Sequence, residues 1–283
     1  MMKKLQLLII LLGTFLLTGC VKMDKMDDIK IITSVYPITN LTEKIYGNNS
    51  NVMSIYPNGI NVDEYEITDK QIKEYSKSDL FIYNGLDSKE KKIATRLLNA
   101  NKNIKLIDAS QGLTINSSKE ELWLSPSNYL MLAQNIKEHL KEDISSTVLK
   151  NDVEKNYEKI KLTISTFDAQ FKIIAENASD KEIIVANNSL KFLSKYGFVI
   201  LSLDKEENKL KSNITAAKNK LNSKENGCIF AIDGILDENI KGLTSSITNV
   251  KSMTNLSVDD VKENNTYETM MNEFIESLRT EVY

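Results

Sequence analysis

The residues best suited to chemistry in this 283-residue chain are carboxylates. The stretch YPNGINVDEYEIT, Tyr56 to Thr68, makes a turn at Pro57-Asn58-Gly59 and then crowds Asp63, Glu64 and Glu66 around Tyr65. Two readings stand open: a solvated acidic loop, or the rim of a cation site. Histidine chemistry is nearly absent. The only histidine, His139, lies in NIKEHLKED, a charged helical stretch, so a zinc site built on two or more histidines is excluded. No nucleophile motif stands out either. Ser125 in LSPS and Ser189 in NNSLK read as cap or turn residues, and Asn84-Gly85-Leu86 reads as a strand-end turn, not a phosphate loop. Enzymatic activity is therefore not expected.

The bulk composition is that of a globular protein. Net charge is −3, which gives no reason to expect nucleic acid as a partner. Lysine outnumbers arginine 34 to 2, which we read as the codon bias of an AT-rich genome. At the N-terminus, Lys3 and Lys4 precede an apolar run from Leu5 to Leu17, too short for a membrane span but the right length for a secretory signal. Leu17-Thr18-Gly19-Cys20 follows and is similar to a bacterial lipobox, which implies cleavage before Cys20 and a lipid on its sulfur; an ordinary signal peptide with an incidental cysteine is the alternative. A lipidated Cys20 leaves Cys228 without a disulfide partner, and Cys228 is expected to be a small buried hydrophobe.

The elements that must position the acidic loop alternate along the chain. Residues 29–147 give four strand-and-helix units, and residues 179–283 give roughly four more. This is the pattern of parallel α/β sheets. Between them, residues 148–178 contain neither Gly nor Pro, and Val153, Tyr157, Ile160, Ile164, Phe167, Phe171 and Ile174 recur at helical spacing. Some 27 residues of such a helix span about 40 Å. It reads as a linking helix between two lobes, with a coiled-coil dimer as the alternative. The expected organisation is signal peptide 1–19, tether 20–28, N-terminal lobe 29–147, linking helix 148–178 and C-terminal lobe 179–283.

Several stretches carry a resemblance in family order: the lipobox, ITSVYPITNLTEKIYG, YPNGINVDEYEIT, SDLFIYNGL, LWLSPSN, FLSKYG and YETMMNEFIESL. With them the chain resembles the metal-binding solute-binding lipoproteins of zinc/manganese ABC transporters, the helical-backbone metal receptors. The resemblance implies two lobes, one long helix, a small hinge motion and one ion held between the lobes by four side chains. Matched residue by residue, those four positions fall on Asp63, Glu121, Asn187 (or Ala186, depending on a one-residue gap) and Thr254. None is histidine. Two carboxylates, an amide and a hydroxyl suit Mn²⁺, Mg²⁺ or Ca²⁺ better than Zn²⁺, and Glu64, Glu66 and Glu120 offer further oxygens. The opposite reading is a decayed site in which these are solvated loop residues.

The resemblance thus implies a receptor, held by its lipid at the outer face of a Gram-positive-type membrane, that captures a divalent cation or small cationic solute for an ABC permease and its ATPase. A monomer is expected. The competing class is a lipid-anchored surface interaction or adhesion protein on the same scaffold.

Overall fold

In the computed structural model the described residues are 29–47, 50–115, 119–207, 209–223, 227–241, 249–256 and 266–283. The signal segment, Cys20 and the tether lie outside them. The described chain forms two four-stranded parallel sheets. In the N-terminal lobe the strands are β1 (Ile29–Thr33), β2 (Ser50–Ser54), β3 (Leu80–Tyr83) and β4 (Lys105–Asp108), in the order β2-β1-β3-β4. In the C-terminal lobe β5 (Glu182–Val185), β6 (Val199–Ser202), β7 (Cys228–Ile232) and β8 (Asn249–Met253) repeat that order as β6-β5-β7-β8. In both lobes the order reverses beside the first strand, which opens a crevice at the carboxyl ends of β1/β3 and β5/β7.

Helices connect the strands. In the N-terminal lobe they are α1 (Tyr36–Tyr46), α2 (Asp69–Tyr75) and α3 (Ser88–Ala100). The short α4 (Glu121–Leu124) and then α5 (Pro126–Asp143) lead to α6 (Thr147–Asn177). The N-cap of α2 is Thr68, which forms a reciprocal capping box with Gln71. Helix α6 is the long connection, 31 residues, started by Ser146, whose hydroxyl accepts from the Leu149 N–H at 3.3 Å. All seven apolar positions read from the sequence are buried along its stripe. One continuous buried cluster extends from Ile29 across this stripe to Val282, so the helix is packed against both lobes. A second, smaller cluster lies within the C-terminal lobe.

Three elements add detail that the strand-and-helix pattern leaves open. SLKFLSKYG folds as a 3₁₀ helix, Asn188–Tyr196, not an α-helix. ELWL forms α4, a separate turn, because Ser125 is extended and Pro126 restarts the chain as α5. After α7 (Leu210–Ser223), the stretch at 236–248 keeps only α8 (Glu238–Lys241) among the described residues. The C-terminal helix α9 is Tyr267–Val282, capped by the Thr266 hydroxyl. Cys228 is buried and free. No helix among the described residues is long and apolar enough to cross a membrane.

Candidate functional site

The acidic loop begins where β2 ends. Gly59 takes φ +72°, which lets the chain reverse after Pro57. The Asn61 side chain then accepts from the Asp63 N–H at 3.0 Å, closing a tight turn that leaves Asp63 exposed. Tyr56 anchors the loop from inside, edge-on to Tyr65 with ring centroids 6.1 Å apart. Gln71 donates to the Tyr65 hydroxyl at 2.6 Å and so ties the loop to α2.

Two lysines hold this loop. Lys119 makes an ion pair with the Asp63 carboxylate and lies 3.6 Å from Asp87. Lys89 donates to the carbonyls of Val62 and Asp63 at 3.0 Å each and approaches Glu66 at 3.4 Å. Partial burial works against the charge on Lys119, but Asp63, Asp87 and Glu120 outweigh it and hold its pKa above the ordinary lysine value. Asp87 is also the N-cap of α3, accepting from the Lys89 and Glu90 N–H groups at 2.7 and 3.2 Å.

That cap turns Glu90 inward, where it is 2 % exposed. Its carboxylate accepts from the Asn84 N–H at 2.6 Å, at the carboxyl end of β3. Burial pushes its pKa up from 4.5 to about 8, against the opposing pull of the Ser34 hydroxyl and the Asn84 N–H. Beside it the Tyr56 hydroxyl is buried with no hydrogen-bond partner among the described residues, and burial followed by the Glu90, Asp87, Asp63 and Glu66 carboxylates raises its pKa. The turn after β3 is also tightly set. Gly85 donates to Asp108 at 2.9 Å, and a Cβ on Gly85 would fall 1.9 Å from Asp108 Oδ2.

The other three candidate residues, Glu121, Asn187 and Thr254, sit on segments joined by hydrogen bonds. Glu121 opens α4 and is buried, two residues from Lys119. Trp123 on the same turn donates its Nε1–H across to the Asn255 carbonyl of the C-terminal lobe at 2.7 Å. Asn255 follows Thr254, which is half-buried. The Asn255 N–H donates to Asp233 Oδ1 at 2.8 Å. Asp233 and Leu256 both hold positive φ, 53° and 57°, so this stretch is strained. The Asn255 side-chain oxygen is buried with no hydrogen-bond partner among the described residues. Asn187 accepts from the Ile232 N–H at 3.0 Å, so one of its lone pairs already serves the backbone. A connected path therefore leads from the Asp63 loop through Lys119, α4 and Asn255 to Asp233, Ile232 and Asn187.

The four residues do not form a carboxylate–histidine cage. Among the described residues no group of three or more His, Cys, Asp or Glu could hold a metal ion. His139 is spent elsewhere on α5, with its Nε2 3.0 Å from the Gln111 side chain and its Nδ1 3.5 Å from Glu142. The sequence reading passed over Lys119, Asp87 and Glu90. The available signal for the last two was the Asp87-Ser88 start of a helix with an acid three residues into it. Lysine is so common in this chain that Lys119 carried no signal of its own.

Two parallel sheets of one strand order, packed on one long helix and joined by the Trp123–Asn255 contact, define a two-lobed solute-receptor scaffold. The chain belongs to the family described as "Zinc-uptake complex component A periplasmic", whose pattern it matches over residues 31–281. It is 29 % identical over 199 residues to a metal ABC transporter substrate-binding lipoprotein of Lactococcus lactis, a match that spans 63 % of each chain. It is 27 % identical over 300 residues to the manganese ABC transporter substrate-binding lipoprotein PsaA of Streptococcus anginosus, covering 95 % of this chain and 96 % of that one. Its fold matches Zn(II)-bound AdcA from Streptococcus pneumoniae with a TM-score of 0.71 at 17 % identity, covering 90 % of this chain but 58 % of AdcA.

Proposed function

We propose that the chain is an extracytoplasmic solute-binding lipoprotein of a metal-type ABC transporter. It captures a divalent cation between its lobes and delivers it to a permease and ATPase. The observation that supports this reading is the path of contacts from the Asp63 loop through Lys119 and Trp123 to Asn255, Asp233 and the Ile232–Asn187 pair, which links segments of both lobes. The unpartnered Asn255 oxygen adds a donor of the same hard type. With this oxygen-only set, Mn²⁺, Ca²⁺ or Mg²⁺ is favoured over Zn²⁺. Residues 29–147 and 179–283 act as the lobes, residues 148–178 as their link, and a lipid on Cys20 holds the monomer at the outer membrane face.

The test is thermal unfolding and calorimetry with each of Mn²⁺, Zn²⁺, Ca²⁺, Mg²⁺ and a polyamine. A bound ion at 100 times its Kd stabilises the fold by about 2.7 kcal/mol. Loss of that stabilisation in Asp63→Ala with Glu121→Ala would support the assignment. No stabilisation by any ligand would favour the second reading, a surface interaction protein with a degenerate site. Two specific contacts favour that second reading: Lys119 already neutralises Asp63, and Asn187 already serves the Ile232 N–H.

A further inference from the structure

We propose that Lys119 sets the affinity of this cleft: its ammonium is a tethered cation on Asp63, and a divalent ion must displace it to bind there. The inference rests on the cation-receptor reading above and concerns the same site. Asp63 is the family's first ligand position, and its carboxylate pairs with no other cation among the described residues. The Lys119 side chain is only 22 % exposed and reaches both Asp63 and Asp87, so it is seated, not waving in solvent. It also stands two residues before Glu121, so one short segment carries a candidate ligand and the competing charge. Lys89 acts differently: it holds backbone carbonyls, and so shapes the loop without taking the Asp63 carboxylate.

The physics is exchange. A group tethered in place competes at a high effective concentration. A divalent ion entering beside Asp63 loses a carboxylate ligand to the ammonium and meets a like charge at close range. The ammonium must swing away.

The decisive experiment titrates the full chain in detergent with MnCl₂ by calorimetry, comparing wild type with Lys119→Gln and Lys119→Met. Lys92→Gln removes the same charge from an exposed site on α3 and serves as the control. Circular dichroism without metal checks that each variant is folded. We expect both Lys119 variants to bind Mn²⁺ at least about tenfold more tightly than wild type. The control should stay within about threefold of wild type, the scale of a remote surface charge. The gain should vanish when Asp63→Asn is added to Lys119→Gln. An unchanged Kd in both Lys119 variants overturns the inference while leaving the receptor reading intact if wild type binds. A gain in the variants over a wild type that binds nothing supports the inference and counts against the receptor reading. Absence of binding in all of them overturns both.

Discussion

The two lobes share one sheet topology and one set of backbone contacts but spend their side chains differently. Ser34 donates to the Ile82 carbonyl at 3.0 Å at the end of β1, and Ala186 donates to the Phe230 carbonyl at 2.8 Å at the end of β5. Two residues past each acceptor, an N–H faces the switch-point crevice. In the N-terminal lobe that donor, Asn84, goes to the buried carboxyl of Glu90. In the C-terminal lobe it is Ile232, and it goes to the neutral amide of Asn187. The same orphan donor is thus met once by a titratable group and once by a group that cannot titrate. The difference shows that the scaffold fixes the demand for an acceptor, while the sequence chooses whether meeting it ties stability to pH.

The largest effect should come from breaking the contact that joins the lobes. Trp123 is fully buried and donates to Asn255 of the other lobe. Trp123→Ala should cost about 3–5 kcal/mol. If the lobes depend on each other through the shared core, chemical denaturation will still give one transition at lower denaturant. Two separated transitions would show that they fold as independent bodies, and the comparison would become one between two autonomous domains.

Next is the titratable side of the comparison. The folded pKa of Glu90 is raised from 4.5 to about 8. Between those values the folded state holds a proton that the unfolded state has released. The stabilisation from protonated Glu90 is therefore fully present below about pH 4.5, falls as pH rises, and is lost by about pH 8. Glu90→Gln keeps an acceptor for Asn84 and removes the titration. It should gain up to about 5 kcal/mol over wild type at pH 9 and almost nothing at pH 4.5, read from urea midpoints. A constant difference across that range would sink the assignment.

The neutral side should behave otherwise. Asn187→Ala leaves the Ile232 N–H without its acceptor and should cost about 1–3 kcal/mol, the same at pH 5 and pH 9. A pH-dependent loss would mean that a charged group, not the amide, governs the second crevice.

How much of this was legible in the sequence depends on the range of the interaction. The stripe from Val153 to Ile174 was readable because helical periodicity is a local signal, and all seven positions are buried. The eight strands were readable from apolar runs punctuated by Gly and Asn. The tight 3₁₀ form of Asn188–Tyr196 was not, since its apolar spacing also fits an α-helix. The positive φ of Leu256 was invisible because leucine usually avoids it, whereas Asp233, before Gly234, is a residue type that enters it more readily. At the site, Asp63 stood out by its acidic neighbours. Its partner Lys119 lies 56 residues away, and only the folded loops bring the two together. Glu90 looked like an ordinary first-turn helix acid, because nothing local announces that β3 will cover it.

The smallest effect concerns the outer seam between the lobes. Lys44 on α1 pairs with Glu268 on α9, each side chain about one-third exposed. Both the Lys44 hydrogen bond and its charge hold the Glu268 pKa below the ordinary glutamate value, against the burial that opposes them. Because that folded pKa is depressed, the pair's contribution is present above the ordinary glutamate pKa and is lost as pH falls through the lower folded value. Lys44→Met should therefore cost less than about 1 kcal/mol at pH 7, since water screens a pair this exposed. The cost should shrink in 1 M salt and vanish in acid, measured by urea denaturation at both ionic strengths. Nearby, the Tyr129 and Tyr267 rings stack with centroids 3.9 Å apart, and salt does not screen that contact. A loss that persists unchanged in high salt would mean that Lys44 supports this stack through its alkyl chain, and the seam would then be held by packing on both sides.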